Sequence, residues 1–121
     1  MAEEIRVKIK NKKGLLLVGV LHVPAGEGKR PAVITLHGFT GYKEEKNSVS
    51  LARELSERGF MVIRFDCSGS GESEGTMKDD YRMTNYISDI DSVYQFIYNH
   101  PSVDAKRIGV WGHSMGAMLA V

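Results

Sequence analysis

The sequence holds a single cysteine, Cys67, among 121 residues. An internal disulfide is therefore impossible, and a metal site built from several thiolates is excluded. Charge of one sign is also lacking: 16 Lys and Arg against 15 Asp and Glu leave a formal net charge of +1. Nucleic acid or an anionic membrane surface would call for a basic excess, so neither is expected as a partner. No apolar run approaches the ~20 residues of a membrane-spanning helix. The start, Met1-Ala2-Glu3-Glu4, lacks the basic-then-apolar pattern of a secretory signal, and a cytoplasmic location is the expectation. No Asn-x-Ser/Thr sequon occurs. Phosphate-binding signatures are missing too: there is no G-x-x-x-x-G-K-[ST], and neither Gly38 nor Gly69 begins a G-x-G-x-x-G. There is no H-E-x-x-H and no cluster of His and carboxylate ligands, so no metal and no cofactor is expected.

What is present is ordinary for a globular domain: 42% hydrophobic and 26% charged residues. Ile5, Val7 and Ile9 alternate with Arg6, Lys8 and Lys10, which predicts a strand with one wet face. A turn at Asn11-Lys12-Lys13-Gly14 leads into a second strand, Leu15 to Val23, and the two read as an antiparallel hairpin. Prolines bracket a loop from Pro24 to Pro31. Ala32 to Leu36 and Phe60 to Phe65 are short β-branched apolar runs, as in parallel strands buried on both faces. Between them Leu51, Ala52 and Leu55 give helical spacing, with Asn47 or Ser48 as expected N-cap and Gly59 as the stop. Ile87, Ile90, Val93, Tyr94 and Ile97 mark an amphipathic helix over about Thr84 to Tyr98. A last strand, Ile108 to Trp111, follows. Strands alternating with helices imply right-handed crossovers and a parallel sheet.

That last strand feeds Gly112-His113-Ser114-Met115-Gly116, a G-x-S-x-G ahead of the apolar Ala117-Met118-Leu119-Ala120. Strand, sharp turn, helix is the setting of a nucleophile elbow, in which the serine hydroxyl is lifted clear of the sheet. Gly112 and Gly116 fit because the turn crowds the backbone on both sides of Ser114. Gly71-Glu72-Ser73-Glu74-Gly75 matches the same pattern, but no strand enters it and no helix leaves it. It reads as part of a Gly- and Ser-rich loop from Asp66 to Gly75. Three loops follow strands expected to be parallel: His37 to Gly41, Asp66 to Gly75 and Gly112 to Gly116. They should share the carboxyl edge of the sheet, where open α/β sheets bind ligands.

With His37-Gly38-Phe39-Thr40-Gly41, Asp66-Cys67-Ser68-Gly69-Ser70-Gly71-Glu72-Ser73 and Gly112-His113-Ser114-Met115-Gly116 in this order, the chain resembles the α/β-hydrolase family. It is most similar in these motifs to serine esterases of the cinnamoyl/feruloyl type and their relatives near the acyl-peptidases. The resemblance spans nearly the whole chain. It implies an incomplete α/β-hydrolase fold: an N-terminal antiparallel hairpin, then parallel strands with crossover helices, in spatial order 1-2-4-3-5. It implies Ser114 as nucleophile and the backbone N–H groups of Phe39 and Met115 as the oxyanion hole. His37, Gly38, Gly112, His113 and Gly116 then support the elbow and the loop. Ala117 stands where many relatives carry a further glycine, a small change from which no loss is expected.

The family's order is Ser, then Asp or Glu, then His. No residue of this chain matches the catalytic acid or His. His22 lies in the hairpin and His100 at a helix end, while Asp66, Asp89 and Asp91 read as loop or solvated helix-face charges. Residues 1–121 therefore look like the N-terminal part of one hydrolase domain, inactive alone, with a small-molecule ester as substrate and self-association through an exposed edge strand. The competing reading is a non-catalytic α/β module whose glycine loops bind a ligand or partner.

Overall fold

A computed structural model describes residues 2–37 and 42–112. Its five strands form one sheet in the order β1-β2-β4-β3-β5. These are β1 (Glu3–Lys10), β2 (Leu16–Val23), β3 (Arg30–Leu36), β4 (Met61–Phe65) and β5 (Val103–Gly112), with helices α1 (Lys46–Glu57) and α2 (Met83–Tyr98) as the crossovers. β1 and β2 pair antiparallel, β2 joins β4 antiparallel, and β3 pairs parallel with both β4 and β5. The order expected from the resemblance is the order observed.

One face of the sheet carries the main core. Ile9, Leu17, Leu21, Ala32, Ile34, Leu36, Met61, Ile63 and Phe65 meet Tyr86, Val93 and Ile97 of α2. The opposite face, under α1, is more polar, with buried His22, Thr35 and Arg64 below buried Ser48, Ala52 and Ser56. Gly19 has almost no room on the first face: a Cβ there would lie 3.0 Å from the Arg64 carbonyl oxygen and 3.3 Å from Phe65 Cβ.

The hairpin turn is built on Asn11. Its side-chain oxygen accepts the N–H groups of Lys13 (3.0 Å) and Leu15 (2.9 Å), and Gly14 takes φ +83°. α1 ends in a Schellman motif, with Gly59 N–H on the Ser56 carbonyl and Phe60 N–H on the Leu55 carbonyl, each at 3.1 Å. Gly59 adopts φ +96° there, so the predicted stop is the observed one.

Two boundaries and one exposure pattern differ from expectation. α1 starts earlier than Asn47 or Ser48, with Glu45 at the N-cap and no side-chain cap. A turn closed by Glu45 N–H on the Tyr42 carbonyl delivers the chain already coiled, so no capping side chain selects the start. β5 begins at Val103, five residues before the apolar run. Arg30 pairs with Val103 and Ala32 with Ile108, so the chain makes an excursion between them, where Asp104 accepts from Lys106 N–H and Arg107. β1 is drier only toward its end: Ile5 stays 42% exposed while Ile9 is buried. No helix among the described residues is long and apolar enough to cross a membrane.

Candidate active site

β3, β4 and β5 end at one edge of the sheet, and two of these ends are register partners: Leu36 lies beside Gly112 on adjacent parallel strands. Parallel neighbours are about 4.8 Å apart, so the chain leaves both strands side by side. Gly38, Phe39, His113, Ser114, Met115 and Gly116 lie outside the described residues. Of the sequence-predicted site, the structure describes His37 and Gly112.

His37 is 2% exposed and held from several directions. Its Nε2 accepts the Cys67 N–H at 3.2 Å, which puts the ring proton on Nδ1. Its carbonyl accepts the Tyr86 hydroxyl at 2.9 Å, and the two rings stack with centroids 5.0 Å apart. Burial raises the Tyr86 phenol far above its ordinary range, so it remains a donor. Burial likewise pushes the Cys67 thiol up to about 12, with Asp89 and Asp66 adding to the shift. A thiol in that state is not a nucleophile near neutral pH.

The loop after β4 is ordered by two buried carboxylates: Asp66 is a loop residue as expected, though buried, while the expectation of a solvated helix-face charge fails for Asp89. Asp66 is fully buried and accepts from the Lys43 N–H (2.7 Å), the Lys43 ammonium (2.9 Å) and the Glu72 N–H (2.9 Å). Asp89, fully buried on α2, accepts from the Ser68 N–H (2.7 Å), the Ser68 hydroxyl and the Asn11 amide (3.0 Å). The burial of both acids is hidden in the sequence because their partners Lys43 and Asn11 lie 23 and 78 residues away. The third, Asp91, is an exposed partner of Lys12, as a helix-face charge should be. Tyr86 and Asp89 are three apart on α2, so one helix face holds both His37 and the Ser68 loop.

Glu72 closes the group. Its carboxylate accepts from both terminal guanidinium nitrogens of Arg6 (3.1 and 2.6 Å) and from the Lys43 ammonium. Hydrogen bonds from Arg6, then Lys43, hold it well down, at about 2. Burial alone would lower the Lys43 ammonium, but hydrogen bonds to Glu72 and Asp66 outweigh it and leave it raised. The G-x-S-x-G at 71–75 is a loop, as expected, with Ser73 spent on bonding: its hydroxyl donates to the Asp66 carbonyl and accepts the Val18 N–H.

The other two histidines among the described residues are at the opposite edge. His22 pairs with Val62 near the start of β4, and His100 follows the C-terminus of α2. A cleft of about 580 Å³ opens beside His22, bordered by Glu4, Arg30 and Arg53. Its arginines are occupied, Arg53 by Glu4, Arg58 by Glu54 and Arg30 by the Ala25 carbonyl. Among the described residues no group of three His, Cys, Asp or Glu is disposed to hold a metal.

The family described as serine aminopeptidase, S33, matches residues 27–121. The chain belongs to this family of α/β-hydrolases. Among solved structures, the chain is similar to Est1E of Butyrivibrio proteoclasticus, whose structure holds ferulic acid, at 30% identity and TM-score 0.86 over 93% of this chain and 44% of that one. It is similar to the esterase Pf2001 of Pyrococcus furiosus at 28% identity and TM-score 0.81, over 98% of this chain and 46% of that one. Among curated proteins it is 33% identical to the thiohydrolase aneE of Aspergillus aculeatus over 89% of this chain and 33% of that protein. The chain thus spans less than half the length of each of these relatives.

Lys43, Tyr86, Asp89 and Asn11 are the residues at this edge that the sequence reading missed. Lys43 carried a usable signal: it lies two residues past the glycine that closes the His37 loop, at the head of a run of charge.

Proposed function

We propose that the chain contributes the nucleophile and oxyanion hole of a serine hydrolase of carboxylic esters. Ser114 attacks the ester carbonyl, and the N–H groups of Phe39 and Met115 receive the developing oxyanion. Collapse expels the alcohol and leaves an acyl-serine, which water then hydrolyses. The base that takes the serine proton and the acid that orients it lie on polypeptide beyond these 121 residues, in keeping with the greater length of the relatives. Each oxyanion donor is worth about 10²–10³ in rate when removed singly.

The observation that carries this reading is the register pair Leu36 and Gly112. It brings the His37 loop and the G-x-S-x-G off adjacent strands at one edge, as one tetrahedral centre served by both would require. Ester hydrolysis is favoured by the esterases among the structural neighbours, and the ferulic acid held by Est1E makes an aryl ester the first substrate to try. The thiohydrolase relative makes a thioester the second.

The test is turnover of p-nitrophenyl acetate, a feruloyl ester and an acyl thioester by the full-length protein, each against Ser114→Ala. Hydrolysis abolished by that substitution is the expected result. The 121-residue chain alone should show none above the same control, because serine without a base is a weak nucleophile. A full-length protein with no Ser114-dependent turnover of any of the three would leave the ligand-binding module as the better account.

A further inference from the structure

On either side of segment 38–41, His37 and Lys43 are each bonded to one of two consecutive residues just after β4. On one side the His37 ring accepts the Cys67 N–H. On the other, Lys43 is engaged at every polar group it has. Its N–H and its ammonium both donate to the Asp66 carboxylate, at 2.7 and 2.9 Å, and the ammonium also reaches Glu72. Its carbonyl accepts from Arg64 Nη1 at 3.0 Å. The Lys43 side chain is 1% exposed and that of Asp66 0%. Behind the carboxylate sits Gly71, at φ +52°, where any Cβ would collide with the Asp66 carboxyl group.

A lysine is almost never buried so completely unless paired. Stability alone does not call for such a pair, because apolar side chains of similar volume serve at least as well. What the pair does supply is geometry: the same carboxylate grips the lysine at its backbone and at its tip, which fixes where the chain enters α1.

We infer that Asp66 and Lys43 are positioning residues for catalysis, clamping the end of the loop that carries the Phe39 N–H. This rests on the reading of that loop as half of the oxyanion hole. Neither residue touches substrate. An oxyanion donor must lie within about 2.7–3.1 Å of the developing charge, and a displacement of 1 Å can cost about 10²-fold. The ground-state carbonyl gains little from that donor, so loosening the clamp lowers kcat and spares KM.

The experiment uses the full-length protein with the ester it turns over best, and the variants Asp66→Asn and Lys43→Met. The expected result is a loss in kcat of about 10- to 100-fold with KM changed by less than about threefold. Inhibition by a trifluoromethyl ketone, whose serine adduct places an oxyanion in the hole, should weaken in proportion to kcat. Folding is followed by thermal melting. Folded variants with wild-type kcat overturn the inference, and so does a loss of kcat with ketone affinity unchanged. If either variant fails to fold, Glu72→Gln decides, since that side chain is half exposed. It should lower kcat a few-fold with the same sparing of KM, and an unchanged kcat would overturn the clamp. Wild-type protein lacking Ser114-dependent turnover would instead bring down the functional reading, a result distinguishable from failure of the clamp alone.

Discussion

His22 shows how far a neighbourhood can move one residue. Its ring is fully buried on the α1 face, and its Nε2 accepts Arg64 Nε at 2.9 Å. Burial, then the Arg64 charge, lower its pKa to about 4, with Arg53 acting the same way and Glu4 and Glu44 opposing. The unfolded chain takes up a proton near 6.5 and the fold only near 4, so between these values the unfolded state binds more protons. Stability should therefore be untouched by His22 above pH 6.5 and fall as pH drops from 6.5 to 4, by at most about 1.4 kcal/mol per pH unit. Urea midpoints at pH 7, 5.5 and 4.5 for wild type and His22→Gln should converge on acidification, the glutamine keeping an acceptor for Arg64. Parallel decline in the two proteins would assign the acid sensitivity to other groups. The sequence could not reveal this, because burial and the Arg64 contact are made across 42 residues. The same limit hid Asp66 and Asp89, whose type suggested water and whose partners come from other elements.

At the scale of elements the sequence was most legible where one physical cause acts locally. The β-branched runs gave β3 and β4, the spacing of Ile90, Val93 and Ile97 gave α2, and Gly59 gave the end of α1. It was least legible where a boundary is set by a distant contact. Val103 joins β5 because Arg30 N–H reaches the Ser102 carbonyl at 2.9 Å, a pairing that the charged Asp104, Lys106 and Arg107 conceal. The loop after β4 offers a test of how tightly an irregular element is built. Gly69 and Gly14 have similar left-handed backbones, φ +79° and +83°. A Cβ on Gly14 meets nothing within 4 Å, whereas one on Gly69 would lie 2.5 Å from the Thr76 carbonyl oxygen. Gly14→Ala should cost about 1–2 kcal/mol for the left-handed conformation alone. Gly69→Ala must also displace backbone, and about 3 kcal/mol or more is expected. Equal losses in urea unfolding would mean that the Asp66–Gly75 loop yields easily, against its network of hydrogen bonds.

The whole molecule is organised by its edges. β1 closes one side of the sheet with alternating Arg6, Lys8 and Lys10, charges that discourage a further strand. β5 closes the other, and its outer residues have no such protection. Gly109 is exposed and Val110 is 43% exposed, with Ile108 and Trp111 half-buried beside them. β5 pairs only with β3 among the described residues, so one row of its N–H and C=O groups faces outward. Beyond the charged Asp104, Lys106 and Arg107, residues 108–112 make an apolar, uncharged stretch of edge, and such a stretch is a template for another strand. The sequence showed the apolar run, and the family resemblance placed it at the edge, since periodicity alone does not say which strand lies outermost. The 121-residue chain expressed by itself should therefore self-associate, eluting above monomer size in a concentration-dependent way. Val110→Lys, which sets a charge on that edge without entering the core, should shift it toward monomer. A chain that elutes as a clean monomer at high concentration and unfolds cooperatively would show that this edge is not adhesive. Association that persists unchanged in Val110→Lys would move the contact to another surface.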